Sequence, residues 1–301
     1  ILNINECHIQ QPIANDILKS IKELTKELEP YNIREHSGFL RNVIIRVAAN
    51  TREIMVNIVT SREDTDTLSP ITDTLISQFP NITSIVNNIT TRKAGVSMGE
   101  HQIVLHGKEY IIEKLGDYEF MISADSFFQT NTRQAEKLYD IIFEESQLTG
   151  SEIVYDLFCG TGSISLYLSK HAKMVYGFEL VASAVQDAMQ NAIHNKVKNA
   201  WFFGGNLENL FRENTEAKEL EQPDVIVVDP PRAGLHTKTI EDIIEKSPKR
   251  IVYVSCNPAS QARDVALLCN EKYELKKLRP IDMFPHTPHV ENVATLIQKS
   301  K

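Results

Sequence analysis

The chain has few cysteines and no long apolar run. Its 301 residues contain four cysteines, Cys7, Cys159, Cys256 and Cys269, and no CxxC pair. Cysteines this sparse exclude a disulfide framework and favour a reducing compartment. No apolar run approaches the roughly 18 residues that a membrane-spanning helix needs, and no N-terminal stretch has the pattern of a signal peptide. We therefore expect a cytoplasmic protein without a membrane partner.

An excess of basic residues is also missing. The sequence has 32 Lys and Arg against 40 Asp and Glu, a formal net charge of −8. Proteins that bind nucleic acid through its backbone neutralise phosphates with Lys and Arg. A nucleic-acid partner would therefore be contacted locally, or through a basic segment outside this sequence. Because the sequence begins at Ile1 and not at Met, we expect it to have been trimmed at its N-terminus.

The first part of the chain, up to about residue 125, predicts a small α+β domain. Apolar residues at helical spacing predict an amphipathic helix over 10–29. Runs of β-branched residues predict strands over 42–49, 53–60, 84–90, 110–115 and 119–122. A second helix is predicted over 70–79, and the polar stretch 60–69 is predicted to be a mobile loop.

From about residue 126 the pattern alternates between strands and helices. A helix over 132–145 precedes strands near 153–157, 174–179, 200–204, 224–228, 250–255, 273–280 and 292–298. Such alternation predicts an α/β fold, a seven-stranded and largely parallel sheet covered by helices on both faces. In an open α/β sheet, ligands bind beyond the carboxyl ends of the strands. Four candidate groups follow strand ends: Asp156, Glu179, Asp229 and Cys256.

Residues 156–162 (DLFCGTG) have the pattern of a strand end, a glycine turn and a helix start. The glycines would bring backbone N–H groups close to a ligand, and Glu179 can accept hydrogen bonds from ribose hydroxyls, which indicates a nucleoside site. An ordinary strand-to-helix turn is the alternative. A dinucleotide motif would have a third glycine where Ser165 stands, so NAD is disfavoured. Asp156 can contact a cofactor or cap the next helix.

Two further segments follow strands. In 229–235 (DPPRAGL) two prolines fix an extended exit that can direct Asp229 into a pocket, or they simply end the strand. Arg232 can hold a substrate phosphate or an internal carboxylate. In 255–258 (SCNP) Cys256 can be a nucleophile or a small buried apolar side chain.

Together with four more segments, these motifs resemble the S-adenosylmethionine-dependent RNA uracil-5-methyltransferases. The matching segments are 127–131 (FFQTN), 134–136 (QAE), 156–162, 229–235, 255–258, 262–264 (ARD) and 282–291 (DMFPHTPHVE). The resemblance spans nearly the whole chain. It implies a Rossmann-like methyltransferase sheet with an antiparallel last strand in a catalytic domain over 126–301, an RNA-facing domain over 1–125, and S-adenosylmethionine as cofactor.

The resemblance also implies roles for single residues. Cys256 would be the nucleophile that adds to C6 of uracil, and Glu291 the base that removes the C5 proton. The residues implied around the cofactor are Gln129, Phe158, Glu179, Asn206 and Asp229. Those implied at the substrate are Phe127, Asp229 and Arg232, with Phe127 stacking on a flipped base. Their ordinary alternatives are a solvated carboxylate for Glu291, core packing for Phe127 and a turn for Asn206.

No catalytic metal is predicted. Cys7 stands where cluster-bearing members of the family have the last of four iron-sulfur ligands, and the other three would precede Ile1. One thiolate does not make a cluster site, so Cys7 is interpreted as an orphan ligand or an ordinary thiol, and a cluster is possible only in a longer native chain. His101, His286 and His289 have no spaced set of further ligands.

The primary hypothesis is therefore an enzyme that forms 5-methyluridine in RNA through a covalent adduct with Cys256. 23S rRNA is the expected substrate, because residues 128–131 and Cys7 resemble the cluster-bearing branch; tRNA is the alternative. A methyltransferase acting on exocyclic amines would have an aromatic residue in place of Arg232. A non-catalytic RNA-binding protein that retains the fold is favoured only by the acidic charge. No obligate protein partner is predicted.

Overall fold

The structure is a computed structural model that describes residue 4 and residues 6–93, 99–208 and 215–300; Ile1, the basis for the expected trimming, lies outside them. The chain divides into two compact units. The first contains Ile1–Lys114 and Met121–Asp125, and the second contains Leu115–Phe120 and Ser126–Lys301. Among the described residues, no helix combines the length and the apolar character that crossing a bilayer requires.

The first unit is a four-stranded sheet with two helices. Its elements are α1 (Pro12–Leu24), β1 (Leu40–Val47), β2 (Ile54–Thr60), α2 (Thr65–Gln78), β3 (Ile82–Ile89) and β4 (His101–Gly107). The strands lie in the order β1-β2-β3-β4, and only the β2–β3 pair is parallel. Apolar side chains of both helices, such as Ile17 and Leu75, form one core with Val56 and Ile58 of β2.

The structure corrects two predictions in this unit and adds one strand. The stretch 60–69 is not a loop throughout, because α2 begins at Thr65, where the Asp64 side chain accepts the N–H of Thr67 at 3.1 Å and caps the helix. The amphipathic helix predicted over 10–29 ends at Leu24. Strand β4 was not predicted, because its polar ends and partly exposed side chains hide the strand pattern.

A two-stranded sheet consists of β5 (Tyr110–Leu115) and β6 (Tyr118–Ser123), as predicted to within a residue at each end. The residues around its turn, Leu115–Phe120, belong to the second unit.

The second unit alternates strands with helices, as predicted. Its helices are α3 (Thr132–Ser146), α4 (Ser163–Ser169), α5 (Ala182–His194), α6 (Thr215–Glu219), α7 (Thr237–Lys246) and α8 (Pro258–Glu271). Its strands are β7 (Ile153–Leu157), β8 (Met174–Glu179), β9 (Ala200–Gly204), β10 (Val225–Val228), β11 (Arg250–Ser255), β12 (Tyr273–Ile281) and β13 (Glu291–Gln298). Strands β7 and β10 are buried along their whole length, which explains why they are apolar at successive positions.

The seven strands lie in the order β12-β13-β11-β10-β7-β8-β9. Neighbours from β11 to β9 are parallel, while β13 runs antiparallel to both β11 and β12. The predicted α/β fold, with a mostly parallel seven-stranded sheet and an antiparallel last strand, is confirmed. Because β13 is reversed, its first residue lies at the edge of the sheet where the parallel strands end.

Candidate active site

Five neighbouring strands each bring one acidic or thiol side chain toward the same edge of the sheet. In the order β8, β7, β10, β11 and β13 these side chains are Glu179, Asp156, Asp229, Cys256 and Glu291. Adjacent strands are about 4.8 Å apart, so the row extends over roughly 20 Å. One end of the row is the nucleoside end that the glycine motif predicts, and the other end carries Glu291 with the Cys256 thiol beside it.

The β11–β13 register places Cys256 opposite Glu291. The ladder pairs Arg250 with Ile297 and continues to Ser255 with Asn292, so the next opposed positions are Cys256 and Glu291. The ladder ends at Ser255 and Asn292, and the charge of Glu291 acts on the Cys256 thiol, as expected for side chains that lie close to each other. Two residues from different motifs are therefore neighbours in the fold.

The Cys256 side chain is partly buried and is hydrogen-bonded to the side chain of Arg232. Burial raises the pKa of this thiol above its usual value, and the negative charges of Glu291 and Asp229 raise it further. Arg232 acts in the opposite direction, because its positive charge and its hydrogen bond favour the thiolate. The sequence leaves a substrate phosphate and an internal carboxylate open as partners of Arg232. In the structure Arg232 interacts with the Cys256 thiol and also with the buried Glu291 carboxylate, which is such an internal carboxylate.

Glu291 is 5% exposed, which does not fit the alternative of a solvated carboxylate. Its burial, with Asp229 nearby, raises the pKa of the carboxyl group to about 7, while Arg232 opposes the shift. A carboxyl group that titrates near neutral pH can both take up and return a proton, as general acid–base chemistry requires.

The first turns of α8 hold the loop that carries Arg232. The side chains of Asn257 and Ser260 both donate to the backbone carbonyl of Arg232, at 2.9 and 3.1 Å. Gly234 in the same loop has φ +81°, and a Cβ there would come within 2.5 Å of the buried carboxylate of Asp264. The sequence did not assign Asn257 or Ser260 a role; the only available signal was their spacing, which puts them on adjoining turns of the helix after Cys256.

The glycine turn fixes the Glu179 carboxylate. One oxygen accepts the N–H of Gly160 at 3.0 Å and the other the N–H of Val181 at 2.9 Å. Each oxygen keeps capacity for a further hydrogen bond, such as one from a ribose hydroxyl. Gly162 has φ +80°, and a Cβ would approach the Phe202 ring to 2.9 Å, so larger residues are disfavoured there.

Asp156 lies on β7, between Glu179 and Asp229 in the row, and its side chain is fully buried. Ser165, which replaces the third glycine of a dinucleotide motif, donates its hydroxyl to Asp156 Oδ2 at 2.6 Å. The other oxygen, Oδ1, is buried and accepts no hydrogen bond within the described part of the chain. Burial raises the pKa of this carboxyl group to about 7, and Asp229 and Glu179 add to the shift. Such an atom suits a ligand that brings a hydrogen-bond donor or a positive charge.

Asp156 provides a test of this electrostatic picture. A carboxyl group whose pKa is raised to about 7 in the folded state binds a proton more tightly there than in the unfolded chain, so stability is lost as pH rises from about 4 to 7. We expect Asp156→Asn to remove this penalty and to stabilise the ligand-free protein at pH 8 by about 1–3 kcal/mol. The melting temperature at pH 8 measures the gain, and an equal gain at pH 4.5 would contradict its electrostatic origin.

The aromatic segment that precedes α3 presents two different phenylalanines. Phe128 is 7% exposed, and its ring centroid lies 5.5 Å from that of Phe120. Phe127 is 70% exposed, so it is available to stack on a base and is not packed in the core. Gln129 is half-buried and lies two residues before Asn131, whose side chain caps α3.

The other two implied cofactor residues differ in their surroundings. Phe158 is half-buried at the end of β7 and has φ +66°, an uncommon conformation for a residue with a side chain. Asn206 is exposed after β9, and its Oδ1 accepts the N–H of Glu208 at 3.0 Å. This bond is an Asx turn, the ordinary alternative considered for Asn206.

In the first unit, Cys7 is partly buried. Its backbone N–H donates to Asn15 Oδ1 at 2.9 Å, and its carbonyl accepts from Asn15 Nδ2 at 3.1 Å. Within the described ranges no group of three or more metal-ligating side chains occurs.

The sequence is similar to known RNA methyltransferases. A family model described as tRNA (uracil-5-)-methyltransferase matches residues 88–299. An uncharacterized RNA methyltransferase of Chlorobaculum tepidum is 42% identical over 297 residues, which cover 98% of this chain and 62% of that protein. Another from Staphylococcus aureus strain MSSA476 is 42% identical over 296 residues, with 98% and 65% covered. The chain thus spans less than two thirds of the length of these relatives.

Solved structures of tRNA methyltransferases are similar to this chain as well. The crystal structure of Pyrococcus abyssi tRNA (uracil-54, C5)-methyltransferase in complex with S-adenosyl-L-homocysteine has a TM-score of 0.80 and 34% identity, covering 99% of this chain and 70% of that chain. The M. jannaschii tRNA m1G37 methyltransferase has a TM-score of 0.55 at 14% identity, covering 94% of this chain and 79% of that chain, and shares the fold.

Proposed function

Because the chain belongs to the tRNA (uracil-5-)-methyltransferase family, we propose that it transfers a methyl group from S-adenosylmethionine to C5 of a uridine in RNA. The observation that carries this proposal is the register that sets the Cys256 thiol opposite a buried Glu291, with Arg232 hydrogen-bonded to the thiol. In this proposal residues 126–301 form the catalytic domain and residues 1–125 face the RNA.

Cys256 begins the reaction. Its thiolate forms a bond from Sγ to C6 of uracil, and the π electrons of the C5–C6 bond move toward C5 and the O4 carbonyl. C5 thereby becomes nucleophilic. Arg232 favours the thiolate that this step needs, against the burial that opposes it. S-adenosylmethionine, when bound, supplies an electrophilic methyl group.

Glu291 completes the reaction. Its carboxylate takes the proton from methylated C5, the electrons of that C–H bond restore the C5–C6 double bond, and the C6–Sγ bond breaks with its electron pair returning to Cys256. The raised pKa of about 7 makes Glu291 a stronger base than an ordinary carboxylate.

The other end of the row fits the cofactor. Glu179 is held with both oxygens able to accept ribose hydroxyls, and the buried Oδ1 of Asp156 would gain a partner from a bound donor. The negative charges of Asp156, Asp229 and Glu179 suit a positively charged ligand. Gln129, Phe158 and Asn206 are proposed as further cofactor contacts, and Phe127 as the residue that stacks on a base.

The RNA target is proposed to be 23S rRNA, with tRNA as the second candidate. The similarity to the Pyrococcus tRNA methyltransferase favours tRNA. The motif over 128–131 and Cys7 favour rRNA through their resemblance to the cluster-bearing branch.

The target is tested with methyl-tritiated S-adenosylmethionine and separate transcripts of 23S rRNA and tRNA. We expect 5-methyluridine in the 23S transcript, identified after nuclease digestion. Label in tRNA alone would establish the second candidate. Binding of RNA without label in either transcript would instead support a non-catalytic RNA-binding protein.

A further inference from the structure

Gln261, in the second turn of α8, connects the two strands that end in the thiol and the carboxyl group. Its side chain is 2% exposed. Nε2 donates to the carbonyl of Tyr253 on β11 at 2.7 Å and to the carbonyl of Asn292 on β13 at 3.1 Å. The side-chain amide of Asn292 donates in return to Oε1 of Gln261. One buried amide is thus bonded to both strands.

Two of these bonds are made with Asn292 at the last rung of the β11–β13 ladder, and the third reaches Tyr253, two residues before that rung on β11. Asn292 pairs with Ser255, so Glu291 immediately precedes one member of that rung and Cys256 immediately follows the other. Beyond that rung the described residues form no further pair between β11 and β13, although Glu291 is paired with Ile281 of β12. The side chain of Gln261 therefore acts where the spacing of Cys256 and Glu291 is determined.

Helix α8 also binds the loop of Arg232, which interacts with both Cys256 and Glu291. Asn257 and Ser260 donate to the carbonyl of Arg232, as described above. The amino-terminal turns of α8 thus join the loop of Arg232 to both strand ends. A change at Gln261 alone would remove the side-chain bonds to both strands while leaving the β11–β13 ladder and the two bonds to Arg232 in place.

We propose that Gln261 is a positioning residue that sets the distance and orientation of Cys256 and Glu291 for the two halves of the reaction. The proposal rests on the proposed function, because it assigns the thiol to adduct formation and the carboxylate to proton removal. Gln261 itself touches neither reacting group among its hydrogen bonds.

The two halves of the reaction depend differently on this spacing. A thiol on a mobile strand end can still reach C6, since adduct formation needs one contact. Proton removal needs the carboxylate to reach C5 while Cys256 remains bonded to C6, so it requires both groups in fixed relation. Misplacement by about 1 Å can lower a rate about 100-fold. Loss of Gln261 should therefore slow product release more than adduct formation.

The test uses Gln261→Met, which keeps the side-chain length and removes every polar contact. We expect kcat to fall about 10- to 100-fold with KM for RNA within about twofold. With RNA deuterated at uracil C5, we expect a larger isotope effect on kcat than in the wild-type protein, because removal of the C5 proton becomes rate-limiting. Gln261→Asn, which is too short to reach both carbonyls, serves if the Met variant does not fold, and the same result is expected.

Asn199 provides the matched control. Its side chain donates to two backbone carbonyls, of Ser169 at 2.8 Å and Ala172 at 3.0 Å, just before β9 and at the opposite edge of the same sheet. Asn199→Leu should lower the melting temperature and leave kcat and the isotope effect unchanged. If Gln261→Met changes kcat no more than Asn199→Leu, or leaves the isotope effect at its wild-type value, Gln261 is only structural. If the wild-type protein forms no covalent complex with 5-fluorouridine RNA, the proposed function fails instead.

Discussion

Cys256→Ala is expected to abolish methyl transfer to RNA, with a loss in kcat of at least about 10⁴-fold, a scale typical for removal of a covalent nucleophile. Without the thiolate, C5 of uracil stays too weak a nucleophile to accept a methyl group. In the structure, Arg232 is hydrogen-bonded to the Cys256 thiol and its charge favours the thiolate, whereas burial has the opposite effect. A serine at the position would not restore activity, because its hydroxyl ionises far less readily than a thiol.

The loss is measured with tritiated S-adenosylmethionine and, independently, with 5-fluorouridine RNA. Fluorine at C5 cannot leave as a proton, so the wild-type protein should remain bonded to this RNA and migrate with it in a denaturing gel. Cys256→Ala should form no such complex. Cys269→Ala, a partly buried cysteine on α8, is the control and should keep both activities. Methyl transfer by Cys256→Ala at the wild-type rate would rule out the covalent mechanism.

The sequence could predict the sheet because its central strands are buried on both faces. Strands such as β7 and β10 are apolar at successive positions, except for Asp156 near the end of β7, and that pattern is visible without a structure. Strand β4 has a partly exposed pattern and was missed. The start of α2 was missed as well, since the cap at Asp64 stands within a polar stretch that resembles a loop.

The site itself could be predicted only in part. Positions after apolar strands identified Asp156, Glu179, Asp229 and Cys256, whereas Glu291 depended on family resemblance. Its place opposite Cys256 follows from the reversal of β13 and from its register with β11, which no local pattern encodes.

The residues that support the site were not predictable in the same way. Gln261 and Ser260 lie within a helix, where polar residues are common and give no signal of a specific contact. Ser165 was noticed only as a missing glycine, although its hydroxyl binds Asp156. The sequence leaves open whether Arg232 meets a phosphate or a carboxylate. Its interactions with the Cys256 thiol and the Glu291 carboxylate depend on how α8 holds the loop through the backbone carbonyl of Arg232.

The second large effect is expected for Glu291→Gln, which should form the RNA adduct and fail to release it. Glutamine has nearly the shape of glutamate and cannot take the C5 proton, so Cys256 cannot leave C6. The general base contributes typically 10²- to 10⁴-fold, and we expect a loss in multiple-turnover kcat of that order. On ordinary uridine RNA, the variant should accumulate a methylated covalent complex that the wild-type protein resolves.

The pKa of Glu291 also predicts how the rate of product release changes with pH. The raised pKa of Glu291, about 7, means that the carboxylate is lost as pH falls through neutrality, so release by the wild-type protein should slow below about pH 7. Release by Glu291→Gln should show no such decrease at acidic pH.

Glu145→Gln is the matched control. Glu145, on α3, is a buried carboxylate that accepts a hydrogen bond at 2.9 Å from Thr295, which lies on the same strand as Glu291 and away from the thiol. It should cost stability and leave release intact. Release by Glu291→Gln at the wild-type rate would show that another group removes the proton, and Asp229, which interacts electrostatically with both Cys256 and Glu291, would be the next to replace.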